Sequence, residues 1–463
     1  MSVLLFCAGL NEGGQGPKEN FDVESSAKTD KLPDRFCVEH IMVTVRSKSR
    51  EACHGCHGVF TVGKTADTLI AESGEASMHT SDFKKIAVLL VCLMLSGLVY
   101  AQTRPRARDL GVPFDGVPGP LNAITDVKGV EVGHATLISG DAASPAGAGP
   151  VRTGVTAILP RGQDSNDPVF AGWFTENGNG EMTGTTWVEE SGFLEGPVMI
   201  TNTHSVGIVR DAVIAWRLKH HGPDKDGYSW SLPVVAETWD GYLNDINGFH
   251  VKAEDAFHAL DSAHGGPFEE GNVGGGTGMI CHEFKGGIGT ASRVLDAKYG
   301  GYTVGVLVQC NYGQRDQLRI AGVPVGREIA GPRVWDDDVG SIIVVVATDA
   351  PLIPTQLKRV AKRVTLGLGR NGSYSGDGSG DIFIAFSTAN PTAASSRGVR
   401  PLGMLPNDQI NPVFLATVQA TEEAVVNAMI AAETMTGIRG HTVNALPHDR
   451  LRELLKNYDR LAH

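Results

Sequence analysis

The chain has 463 residues, 41% of them apolar and 20% charged, with a formal net charge of −12. That balance excludes a disordered or fibrous chain and leaves enough apolar side chains for a large core. The acidic excess argues against nucleic acid or an anionic membrane as the main partner, both of which need clustered positive charge, and suits a neutral or cationic small substrate.

Residues 1–77 show no sustained hydrophobic period and contain the string CHGCH at 53–57. It matches the C-x-x-C-H haem-attachment pattern through Cys53 and Cys56, but it precedes an export signal, which makes a haem protein the weakest reading. The signal runs from Met78 to Ala101: Lys84 and Lys85 are basic, Ile86 to Leu95 apolar, and Val99-Tyr100-Ala101 a small-x-small cleavage site. Its apolar run of 16 residues is shorter than the roughly 20 that span a bilayer. The expectation is a signal peptide over 78–101, a true start at Met78 with 1–77 outside the native protein, and a periplasmic or secreted single domain over 102–463. That domain keeps Cys281 and Cys310, enough for one disulfide at most, and a chain this long does not depend on it.

In the mature region, apolar runs near Val155, Met199, Val235, Val306, Val345 and Phe383 read as strands covered on both faces. Between them, 207–221 and 354–368 carry apolar residues at helical spacing, the second opening with Pro354. A long helix is predicted over 411–435 and a short one over 448–458. Strands and helices mix throughout, giving α/β layers in one domain.

The sequence has no H-E-x-x-H, its histidines are scattered, and the Gly-rich 271–279 matches neither nucleotide-binding fingerprint. No metal or organic cofactor is expected. The spacing G-x-S-x-G of a nucleophile elbow is missing around Ser379.

The stretch GSYSGDGSGDIFIAFST, 372–388, passes abruptly from Gly, Ser and Asp into an apolar strand. In one reading 371–380 is a loop entering a central strand. In the other, the Gly378-Ser379 bond breaks itself: Gly378 admits a strained backbone, the Ser379 hydroxyl attacks the preceding carbonyl, and hydrolysis frees an α-amine. With a pKa near 7.7–8.0, that amine would serve as base to its own hydroxyl.

The blocks NAITDVKGVEVGH, TNTHSVG, NVGGGTGM, FKGGIGTASR, VQCNYG, IIVVVATDAPL, GSGDIFIAFSTAN and ATEEAVVNA occur in this order and together resemble the L-aminopeptidase/D-esterase family, which includes the β-peptidyl aminopeptidases. The resemblance spans Arg104 to about Tyr458. It implies a four-layer α-β-β-α sandwich like that of N-terminal-nucleophile hydrolases, with the connectivity of ornithine acetyltransferases, and self-cleavage into an α chain, 102–378, and a β chain, 379–463. Ser379 would be the nucleophile, Asn311 an oxyanion donor and Tyr242 a hydroxyl on the intermediate. Thr421 and Glu423 would form the hydroxyl-x-carboxylate pair, with Glu422 as rival to Glu423. Apart from the resemblance, Asp381, close behind Ser379, would hold the new N-terminus or cap a turn. The implied activity is a serine aminopeptidase on short peptides, amides or esters, with D- or β-residues among its substrates, working without cofactor as a tetramer or larger homo-oligomer. The alternatives are an acyl transferase of ornithine-acetyltransferase type, against which Ser379 and the signal peptide count, and a non-catalytic periplasmic binding protein.

Overall fold

Strand alternation decides what each apolar run packs against. β1 (Glu131–Ser139), β2 (Val151–Leu159), β4 (Val198–Asn202) and β5 (Val234–Thr238) form one sheet in the order β1-β2-β4-β5. β3 (Val169–Gly178), β6 (Gly287–Val294), β7 (Thr303–Asn311), β8 (Ser341–Thr348) and β9 (Gly380–Ser387) form a second, ordered β6-β7-β8-β9-β3, with the two-residue strand Phe193–Leu194 at its edge. β4 runs parallel to β5 and β8 parallel to β9; the other pairs are antiparallel.

Along β8, Ile343, Val345 and Ala347 join Ile158, Ile200 and Ala236 of the other sheet in one buried cluster, while Ile342, Val344 and Val346 turn to the opposite face. There they meet α3 (Pro354–Ala361), α4 (Val364–Asn371) and α5 (Asn411–Ile430) through Leu357, Val360, Val364, Leu368 and Val425. The outer face of the four-stranded sheet is covered by α1 (Val206–His221) and α2 (Ala253–Asp261) through Val209, Val213, Trp216 and Leu260. The result is the α-β-β-α sandwich, and strands buried on both faces read as continuous apolar runs for that reason. Each such Val, Leu or Ile contributes about 1.5–3 kcal/mol relative to exposure.

The structure describes residues 104–462 except 146, 224, 335–339 and 396–397. It also describes two strands of a separate N-terminal unit, Val23–Ser25 and Val43–Val45, which pair antiparallel in this computed structural model. The signal segment 78–101 and the CHGCH string lie outside the described residues.

Several elements differ from expectation. The helix predicted over 354–368 is two helices separated at Lys362–Arg363, and α5 ends at Ile430 rather than 435. β1, β3 and β6 carry too many polar or small residues to stand out as apolar runs. The Gly-rich block forms a short turn at Gly274–Gly276, wedged between the sheets. A Cβ on Gly275 would meet Gln309 Oε1 at 2.2 Å and one on Gly276 the Ile288 nitrogen at 2.4 Å, so its glycines serve close packing.

Candidate active site

At one end of the sandwich the two sheets part to leave an open cavity of about 600 Å³, walled by Asn179, Gly180, Glu181, Thr203, Glu237, Trp239, Asn311, Gly340, Ser341 and Gly378. Ser341 opens β8 and Asn311 ends β7; the two are direct register partners, and Ser341 also pairs with Gly380 of β9. By the period-2 alternation, Ser341 shares the inter-sheet face of Ile343, and Asn311 that of Gln309, which bonds Thr201 and Thr238 of the facing sheet.

Ser379 lies elsewhere. It is 1% exposed, its hydroxyl donates to Asp381 Oδ1 at 2.7 Å, and it is not among the cavity-lining residues. Asp381 pairs with Ile342, whose side chain faces the helices, so Ser379 and Asp381 point behind the wall that Ser341 faces. The expected nucleophile Ser379 is thus not on the cavity wall. A Gly-Ser pair does sit on the wall, but it is Gly340-Ser341, while only Gly378 of the later pair reaches the cavity.

Gly340 answers a steric demand. A Cβ there would lie 2.6 Å from both the Asn311 carbonyl oxygen and Tyr312 Cα, so the approach to Ser341 admits no side chain. The Gly340 carbonyl accepts the Gly380 N–H at 3.0 Å, and the Gly378 carbonyl accepts Asn179 Nδ2 at 2.8 Å.

Asn311 is 8% exposed and held at both ends of its amide. Oδ1 accepts the Ile280 N–H at 2.8 Å, and Nδ2 donates to the Trp239 carbonyl at 3.0 Å. Across the cavity, Glu237 Oε1 accepts the Glu181 N–H at 2.9 Å and Oε2 accepts the Thr203 hydroxyl. Burial pushes the Glu237 carboxyl above its ordinary range, opposed by those hydrogen bonds. Glu237 is a site residue that sequence reasoning missed; its only signal was a carboxylate at the end of the apolar run VVAET.

Three expected residues are not brought to the cavity. Tyr242 is half-buried, stacked on His441 with centroids 4.3 Å apart and packed with Leu243, Ile280, Met435 and Val443; Trp239, three residues earlier, lines the wall instead. Glu423 is fully buried, with Arg108 Nε and Nη2 at 2.8 Å, Arg293 Nη2 at 2.7 Å and Asn122 Nδ2 at 2.6 Å. Arg293 pairs with Val304, seven residues up β7 from Asn311, so Glu423 anchors at the opposite end of the sheet, roughly 23 Å away by extended-chain rise. Thr421 donates to the Thr417 carbonyl within its own helix and packs on Gly367 of α4. Glu422 pairs with Arg370 at 2.8 Å near the surface.

The profile of Peptidase family S58 matches residues 122–443. The chain is 55% identical over 396 residues to a β-peptidyl aminopeptidase BapA of Sphingosinicella microcystinivorans, covering 82% of this chain and 99% of that one. It is 49% identical to the BapA of Sphingosinicella xenopeptidilytica, over 80% of this chain and 95% of that one. Among solved structures, the L-aminopeptidase D-Ala-esterase/amidase of Ochrobactrum anthropi, described as a prototype of the serine aminopeptidases with a variant Ntn-hydrolase fold, superposes with a TM-score of 0.73 at 52% identity. The match covers 78% of this chain and all of that one. A Burkholderia sp. β-aminopeptidase superposes with a TM-score of 0.71 at 49% identity, over 76% and 99% of the two chains.

Proposed function

This chain belongs to peptidase family S58 and is a hydrolase of aminopeptidase type; within that family, we propose that it cuts itself between Gly340 and Ser341 and uses the freed Ser341 as an N-terminal nucleophile. One observation carries the reading: Ser341 and Asn311 stand side by side on a cavity wall opposite the buried carboxylate of Glu237.

In self-cleavage the Ser341 hydroxyl attacks the Gly340 carbonyl, whose oxygen already accepts the Gly380 N–H. The C–N bond breaks, leaving an ester on Oγ. Water then hydrolyses that ester, giving a Gly340 carboxylate and a Ser341 amine. With a pKa near 7.7–8.0, the amine takes the proton of its own hydroxyl at neutral pH.

In turnover, Glu237 binds the ammonium of the substrate's first residue and places its carbonyl against Ser341 Oγ. Asn311 Nδ2, with one N–H on Trp239, offers its second to the developing oxyanion; loss of such a donor costs about 3–4 kcal/mol. The amine of the remaining peptide leaves with a proton, and water releases the acyl group. Short peptides, amides and esters fit this scheme, and the named relatives favour β-residues among the substrates.

Export remains part of the proposal. It rests on the segment 78–101 and is supported by the Cys281–Cys310 disulfide, a bond of oxidising compartments. Exposed Leu366, Met404 and Leu415 support assembly into a homo-oligomer, which light scattering measures.

Intact mass under denaturing conditions tests the cleavage. The wild type should give a 123-residue chain starting Ser-Ile-Ile-Val and Ser341→Ala one uncut chain. An 85-residue fragment starting Ser-Gly-Asp-Ile would return the nucleophile to Ser379.

A further inference from the structure

Asn311 is aimed by a contact from outside the two large sheets. Ile280, which donates to its Oδ1, belongs to the hairpin Ile280–Cys281/Phe284–Lys285, two residues on each side, turning through His282 and Glu283 at φ of 49° and 59°. Such a short strand pair is not stable alone. It is secured to β7 and the loop beyond by the His282 N–H on the Tyr312 carbonyl at 2.7 Å and by a disulfide from Cys281 to Cys310.

The position of that disulfide is specific. Cys281 directly follows Ile280 and Cys310 directly precedes Asn311, so the covalent bond flanks the Ile280–Asn311 hydrogen bond on both strands. Both cysteines are fully buried. An amide side chain has a donor end and an acceptor end of nearly equal shape, and only its partners decide which faces outward. With the hairpin displaced, the Nδ2 bond to the Trp239 carbonyl is the one contact left to orient the amide, and an amide swinging on that single anchor no longer holds its second N–H directed into the cavity.

We propose that the Cys281–Cys310 disulfide is a positioning device for acyl transfer: it holds the Ile280 N–H on Asn311 Oδ1 and so keeps Nδ2 directed into the cavity. The inference rests on the reading of Asn311 as oxyanion donor. It makes full activity depend on oxidation at one buried pair.

The test starts with non-reducing peptide mapping of the purified full-length protein, which should find Cys281 linked to Cys310; free thiols at both in active enzyme would overturn the proposal. The double variant Cys281→Ala/Cys310→Ala is then compared with wild type and Asn311→Ala at a temperature where each is folded. The expected result is a kcat at least tenfold lower with KM within twofold, and a smaller cost of Asn311→Ala in the disulfide-free background than in wild type. A merely structural role would lower Tm and leave kcat unchanged, which sinks the inference.

If the double variant does not fold, wild type reduced with dithiothreitol takes its place. Two electrons and two protons pass to the cysteine pair, the dithiol closes to its own cyclic disulfide, and alkylation after denaturation reports the reduced fraction. Full kcat in fully reduced enzyme overturns the proposal. Should Asn311→Ala itself keep full kcat, the reading of Asn311 fails; should it lose kcat while the disulfide-free enzyme does not, only the role of the disulfide fails.

Discussion

Ser341 opens β8 and Ser379 stands just before the parallel neighbour β9, one residue out of phase: Ser341 pairs with Gly380, not with Ser379. Because successive side chains on a strand point to opposite faces, that single step sends Ser341 into the cavity between the sheets and Ser379 toward the helices.

The two serines should therefore separate in experiment. Ser341→Ala is expected to abolish self-cleavage and activity. Ser379→Ala, which removes the hydroxyl on Asp381 Oδ1, is expected to yield two chains with reduced turnover. Intact mass and initial rates on an amino-acid amide decide it; two chains from Ser341→Ala would remove this serine as nucleophile.

Glu237→Gln should raise KM for substrates with a free amine by about tenfold or more, in keeping with roughly 1.5–3 kcal/mol for a hydrogen bond to a charged group. An N-acetylated ester, which lacks the ammonium, should be far less affected. Equal losses on both substrates would remove Glu237 from ammonium recognition.

Glu423 is expected to matter for stability rather than turnover. Glu423→Gln leaves the buried Arg293 without its carboxylate, and breaking such a pair costs about 3–5 kcal/mol. Although burial works to raise its pKa, hydrogen bonds from Arg108 and the charges of Arg293 and Arg108 hold the Glu423 carboxyl below its ordinary value. Its stabilisation is thus present above the unfolded carboxyl pKa and is lost as pH falls through the lower folded value. Calorimetry should show a lower Tm, with kcat of the folded variant within about twofold of wild type; a large kcat loss with unchanged Tm would restore a catalytic role.

Asp240 gives a slope of the opposite sign. Burial raises its carboxyl from 3.8 to about 7, so between those values the folded protein holds a proton that the unfolded chain releases. Its contribution is fully present below the unfolded pKa, declines as pH rises toward about 7, and is gone above it. Asp240→Asn should flatten the fall of Tm between pH 5 and pH 8; parallel profiles for the two proteins would refute the shift.

The strands around Val306, Val345 and Phe383 were legible because burial on both faces leaves an uninterrupted apolar run. The choice between two Gly-Ser dipeptides was not, since it depends on register between strands, which no local pattern encodes. Gly and Ser crowded before Ser379 drew attention to that pair, while GSIIVVVATDAPL read as a strand and as part of the family resemblance, not as a cleavage junction. The surroundings of Glu423 were hidden for a related reason: its partners Arg108, Asn122 and Arg293 lie 315, 301 and 130 residues away. Glu237 and Trp239 were hidden by sitting at the end of a strand whose apolar part supplied the only visible signal.

Were the chain cut before Ser341 as proposed, β8 and β9 would belong to the new chain yet lie between β7 and β3 of the old one. The larger fragment keeps the four-stranded sheet whole, but neither owns the complete second sheet, so they part only if that sheet opens. Refolding then becomes a meeting of two molecules, slower at low concentration, where the precursor needed only itself. Heat resistance of the cut protein would then be a matter of how slowly that sheet opens, and a cooled sample would not regain what the uncut chain assembles unaided.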